Sequence, residues 1–190
     1  MSMNESHGLA SWANAITAGR LMLSPIMFWV IPEGTSGSWV AFWLWFALSV
    51  SDGIDGYIAR RRGPTAAGAF LDPLADKVLI LGAMFTLVSR GVFWVVPVVI
   101  IAAREFVISV YRVKVAGRGV SVPASRLGKY KTLAQQLAVG FALLPWTALD
   151  AQWLWSSLLW TAVVLALVSG AQYLRHARQP LPTNTVQPVA

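Results

Sequence analysis

Six stretches of this chain are long and apolar enough to cross a bilayer, near positions 14–32, 39–60, 67–89, 93–113, 130–148 and 152–174. Roughly 20 mostly apolar residues span a hydrocarbon core about 30 Å thick, and in lipid a helix satisfies its own backbone polar groups. Turn chemistry separates the stretches: Pro32 to Ser38, Arg61-Arg62-Gly63-Pro64, Ser89-Arg90-Gly91 and Ala148 to Ala151. The expected fold is therefore an all-α integral membrane protein with six transmembrane helices. Leu9 to Ala18, anchored by Trp12, reads as a short juxtamembrane helix ahead of the first span. One membrane domain is expected over 1–178. The tail 179–190, with Pro180 and Pro182 and little periodicity, is expected to be disordered.

Composition agrees with a lipid environment. Hydrophobic residues make up 56% of the chain and charged residues 12%, with a mean hydropathy of +0.60, outside the range of soluble domains. Tryptophans such as Trp39, Trp94 and Trp153 fall near the ends of apolar runs, where one end of an indole meets lipid and the other meets water. A net charge of +7 raises the question of nucleic acid, but the basic residues gather in alternate connections, as topology and anionic lipid headgroups require. No nucleic-acid partner is expected. Arg60 to Arg62, the cations from Arg112 to Lys131, and Arg175 and Arg178 all fall on one side, against Arg90 alone on the other. That bias places both termini on the cytoplasmic face of the cell's inner membrane. Met1 to Ser11 carry no Lys or Arg, so the first apolar stretch is expected to remain rather than act as a signal peptide. Absence of cysteine excludes disulfides, thiolate metal sites and cysteine nucleophiles.

The acids are few and concentrated. Of eight in the chain, four are Asp52, Asp55, Asp72 and Asp76. Charged groups within spans cost about 2.5 to 3.5 kcal/mol each on insertion scales, so they mark functional sites. Spacings of three and four put each pair on one face of a helix, and the short turn between the second and third spans brings the pairs to similar depth. Unpaired carboxylates brought together would protonate. A hard divalent cation would keep them ionised through an all-oxygen set. Capping, or pairing with Arg60, Arg61, Arg62 and Lys77, is the plainer alternative for any single aspartate. Glycines at Gly53, Gly56 and Gly68 leave room for close helix packing or for a bulky phosphate ligand.

Asp52-Gly53-Ile54-Asp55-Gly56-Tyr57-Ile58-Ala59-Arg60 followed by Gly68-Ala69-Phe70-Leu71-Asp72-Pro73-Leu74-Ala75-Asp76 resembles the signature of the CDP-alcohol phosphatidyltransferases. The linker from Arg61 to Ala67 is one residue shorter than the usual pattern, a difference confined to the turn. The resemblance implies two divalent ions, Mg²⁺ or Mn²⁺, held by Asp52, Asp55, Asp72 and Asp76 on the pyrophosphate of a CDP-lipid, with Asp76 as general base. It also implies contacts to CDP-diacylglycerol from Gly56, Arg60, Thr65 and Gly68. Asn14 and Thr17 match a segment of the same family that lies by the nucleotide.

Arg104-Glu105 with Ser109 and Arg112, then Arg126, Lys129, Lys131 and Thr132, are similar to the glycerol-3-phosphate branch of that family. Several cations beside the carboxylates suit an acceptor that is itself a phosphate. Arg104, Ser109, Arg112, Arg126, Lys129 and Lys131 are thus the expected acceptor pocket, and the expected reaction joins a phosphatidyl group to glycerol 3-phosphate. Inositol phosphate, or phosphatidylglycerol as in a cardiolipin synthase, are alternative acceptors for the same chemistry. Membrane lipids are expected partners, and a homodimer is left open. A metal-ion transporter would need polar residues through the outer half of the bundle, where Val40 to Leu48 and Leu79 to Val88 are apolar. A non-catalytic assembly factor would account for the glycines but not for four aligned aspartates.

Overall fold

The computed structural model describes residues 3–62, 66–116 and 126–177, and side chains over 17–51, 74–114 and 127–175. Among the described residues the regular structure is entirely helical: α1 (Met3–Val30), α2 (Trp39–Arg62), α3 (Ala66–Ser89), α4 (Val95–Ala116), α5 (Arg126–Leu143), α6 (Pro145–Asp150) and α7 (Gln152–Ala177), with a 3₁₀ turn at Gly34–Ser36. Apart from α6, the helices run from 18 to 28 residues, so each extends for roughly 27 Å or more. α1 packs on α2 and α3, α5 lies along α7, and α4 also docks on α7.

Two boundaries differ from the sequence reading. The juxtamembrane helix is not a separate element, because α1 runs unbroken from Met3 to Val30. The fifth apolar stretch is not one helix to 148 either. Proline disfavours helical geometry in the residue before it, and Leu144 is extended (φ −72°, ψ 118°), so α5 stops at Leu143 and Pro145 opens the short α6. The expected disordered tail falls outside the described residues.

The packing has an inverted character. Interior positions include many small residues, among them Ala41, Ala83, Ala138, Ala162 and Ala166, which allow close helix approach, together with the polar Thr17, Arg20, Ser24, Lys131, Gln135 and Ser169. Large apolar side chains face outward: Trp29 is 81% exposed, Met22 76% and Phe106 70%. By length and composition α7 has a stretch, Gln152–Arg175, that can cross a membrane, and α2 carries a shorter apolar run, Trp39–Ser51.

At the end of the bundle opposite the aspartates, the connections dock closely. Glu33 pairs with Arg90 at 2.9 Å, and the backbone N–H of Gly34 donates to the Arg90 carbonyl. Gly37 has φ +65° and lies so near the α5–α6 junction that a Cβ there would stand 2.8 Å from the Leu143 carbonyl oxygen and from Pro145 Cα. The neighbouring Ser38 N–H donates to that same Leu143 carbonyl at 2.8 Å.

Candidate active site

α3 carries Asp76 and Lys77 towards α4 and α5. The Lys77 ammonium donates to Ser109 Oγ on α4, and the Ser109 hydroxyl donates to the main-chain carbonyl of Glu105, one turn earlier on the same helix. Glu105 is nearly buried, and its Oε1 accepts from Lys131 Nζ on α5 and from Arg104 Nη1 at 3.1 Å. Asp76 lies within electrostatic reach of Lys131. Three helices thus meet in a cluster in which α4 presents Glu105 and Ser109 at helical spacing, and α3 and α5 each supply an ammonium.

Arg104 turns away from the centre of this cluster to α7. Its Nε donates to the Ala166 carbonyl at 3.0 Å and its Nη2 to Ser169 Oγ at 2.9 Å. Gly170 lies against this side chain, and a Cβ at that position would make a tight contact, 3.3 Å from Arg104 Nε. The last apolar stretch, read from sequence only as a span, therefore supplies the partners that fix Arg104.

Of the expected acceptor pocket, Arg104, Ser109 and Lys131 come together in one network. Arg112 is exposed, with its guanidinium carbon 5.9 Å from the centroid of the Tyr173 ring, an arrangement that suits a cation over a π face. Lys129 is exposed as well. Arg126 opens α5, but its side chain is outside the described residues, as are those of Asn14, Asp52, Asp55, Arg60 and Asp72. Gly56 and Gly68 sit within α2 and α3, and Thr65 falls in the undescribed turn between them. Thr17 is buried in α1, one turn before the buried Arg20.

Sequence reasoning gave no role to Glu105 and treated Lys77 only as a pairing partner for aspartates. A signal for Glu105 was present, because an acid in the middle of an apolar helix needs a buried counter-charge. Nothing in the local sequence indicates that the counter-charge is Lys131, 26 positions further on.

By the chemistry of their donors, the carboxylates of Asp52, Asp55, Asp72 and Asp76 would offer oxygen ligands of the kind that suits Mg²⁺ or Mn²⁺. No group of three or more metal-ligand side chains occurs among the described residues, from which three of the four aspartate side chains are absent.

Comparison with known proteins is consistent across the chain. Residues 10–168 match the model of the CDP-alcohol phosphatidyltransferase family. The chain is 35% identical to the CDP-diacylglycerol–glycerol-3-phosphate 3-phosphatidyltransferase of Haemophilus influenzae, over 89% of this chain and 94% of that protein. It is 38% identical to the enzyme of the same description from Bacillus subtilis, over 74% and 75% of the two chains. A probable phosphatidylglycerophosphate synthase of Mycobacterium tuberculosis is 35% identical over 89% of this chain and 82% of its own.

Proposed function

We infer the reaction from one premise: the chain belongs to the CDP-alcohol phosphatidyltransferase family. It transfers the phosphatidyl group of CDP-diacylglycerol to a hydroxyl of glycerol 3-phosphate, forming phosphatidylglycerophosphate and releasing CMP. The observation that carries the choice of acceptor is that relatives named for glycerol 3-phosphate match 87 to 89% of the chain. The cluster of Lys77, Ser109, Glu105 and Lys131 beside Asp76 supports it, because a buried ammonium next to a carboxylate suits a phosphate-bearing alcohol.

The reaction is a direct displacement at phosphorus. Asp76 accepts the proton of the acceptor hydroxyl as that oxygen attacks, and the bond to CMP breaks as the new ester forms. Lys131, with Lys77 held in place by Ser109, binds the phosphate of the acceptor so that its hydroxyl faces the reacting phosphorus. Thr17, Asn14, Gly56, Arg60, Thr65 and Gly68 bind the CDP-lipid. Asp52, Asp55, Asp72 and Asp76 would hold two Mg²⁺ or Mn²⁺ ions, which would supply charge neutralisation for the pyrophosphate and the departing CMP.

The setting is a membrane crossed six times, by α1, α2, α3, α4, α5 with α6, and α7, with the aspartates at the cytoplasmic ends of α2 and α3. Helix lengths, outward-facing tryptophan, phenylalanine and methionine, and the one-sided distribution of Lys and Arg support this topology. The test is direct. Purified protein is supplied with CDP-diacylglycerol, Mg²⁺ or Mn²⁺, and one acceptor at a time, and the lipid product is identified by mass spectrometry. Phosphatidylglycerophosphate from glycerol 3-phosphate alone is the expected result. A product from inositol phosphate or phosphatidylglycerol would reassign the acceptor, and no lipid product with any acceptor would reject the reaction.

A further inference from the structure

We propose that Glu105 is a positioning residue of the acceptor pocket: its carboxylate aims the Lys131 ammonium at the acceptor's phosphate, and its main-chain carbonyl orients the Ser109 hydroxyl, whose oxygen in turn holds Lys77 beside it. The inference rests on the reading that glycerol 3-phosphate is the acceptor.

Glu105 occupies the middle of a chain of contacts with one fixed end. Arg104 is tied to α7 through Ala166 and Ser169, and its Nη1 holds Glu105 Oε1 at 3.1 Å. The same oxygen receives Lys131. A guanidinium anchored on both sides therefore sets where the carboxylate lies, and the carboxylate sets where a long, otherwise flexible lysine ends. An ammonium carries three donors. One bond to Glu105 fixes its position and leaves two for a ligand.

Charge points the same way. Arg104, Lys131 and Lys77 lie around Glu105, and Asp76 lies near Lys131, so these five side chains retain one positive charge in a largely buried place. An isolated pair would leave no net attraction for an anion, whereas this cluster still favours one. Buried ion pairs give little net stability, because desolvation offsets their attraction. The arrangement is thus better explained by orientation of Lys131 than by holding helices together, which Arg104 already does for α4 and α7.

The experiment uses the full chain in lipid nanodiscs and measures KM for glycerol 3-phosphate and for CDP-diacylglycerol separately. Glu105→Gln is expected to raise the glycerol 3-phosphate KM on the order of tenfold, the scale of a lost charge-assisted hydrogen bond, with the CDP-diacylglycerol KM within about twofold of the parent. Glu105→Asp, which keeps the charge but retracts it by one methylene, shows a smaller rise with the same selectivity. It serves alone if the Gln variant does not survive extraction. In a Lys131→Met background, Glu105→Gln adds less than about twofold, because its effect passes through Lys131. Equal changes in both KM values would reduce Glu105 to a structural ion pair, and a fall in the glycerol 3-phosphate KM would make it a competitor of the phosphate; either result overturns the proposal. Failure of the parent protein itself to convert glycerol 3-phosphate would reject the acceptor assignment, and the role of Glu105 with it.

Discussion

Asp76 stands one turn after Asp72 on α3, and its neighbour Lys77 is bonded across to α4. A carboxylate in that position can ligate a cation with one oxygen and take a proton with the other. The two roles separate on substitution. If the base role dominates, Asp76→Asn binds CDP-diacylglycerol and metal nearly as the parent does, and kcat falls by a factor on the order of 100 to 10,000. Rates at saturating Mn²⁺, paired with calorimetric titration of the metal in the presence of CDP-diacylglycerol, check this. Substantial recovery at high Mn²⁺ would remove Asp76 from the role of base and leave it a ligand.

At the scale of elements, the joints are more informative than the helices. Gly37 combines a positive φ with close contact to backbone atoms of Leu143 and Pro145, neither of which can swing aside. Gly37→Ala is expected to destabilise the protein by about 1 to 3 kcal/mol, since it adds strain to a clash, as read from thermal unfolding of the purified chain in detergent. Catalysis at low temperature should change little, because the joint is at the far end of the bundle from Asp76. The long helices were legible in the sequence, since each contains most of one of the apolar runs closed by glycine, proline or charge, but α6 was not read as a separate helix. The stop at Leu143 was less so: hydrophobicity continues through Leu144, Pro145 and Trp146, and only the backbone constraint ahead of Pro145 breaks the helix. The aspartate motif was legible as a pattern. Of the Glu105 network, Arg104, Ser109 and Lys131 were expected together as an acceptor pocket, whereas the pairing of Glu105 with Lys131 and the tie of Arg104 to α7 were not, because local sequence says nothing of which side chains meet across such distances.

For the whole molecule, two outcomes are expected. Chelation with EDTA should abolish transfer, and added Mg²⁺ or Mn²⁺ should restore it; full activity in chelator would contradict the two-ion reading. The absence of cysteine makes topology measurable without background. Glu33→Cys, at an exposed position in the α1–α2 connection, is expected to react with a membrane-impermeant maleimide from outside the inner membrane. Arg175→Cys, near the end of α7, is expected to react only after that membrane is opened. The reverse pattern would invert the orientation read from the basic residues.

The seam between α4 and α7 also bears on the order in which the chain is made. Arg104 takes its α7 acceptors from residues 62 and 65 positions downstream. A ribosome delivers the N-terminal part first, so on the proposed six-span topology α4 would enter the membrane with Glu105 beside its guanidinium but with the α7 acceptors still to be synthesised. Until α7 arrived, a nascent chain would hold a cation in lipid with its shell of acceptors unfinished. A chain that ends early therefore carries its own mark of incompleteness, readable by whatever surveys membrane proteins for misplaced charge.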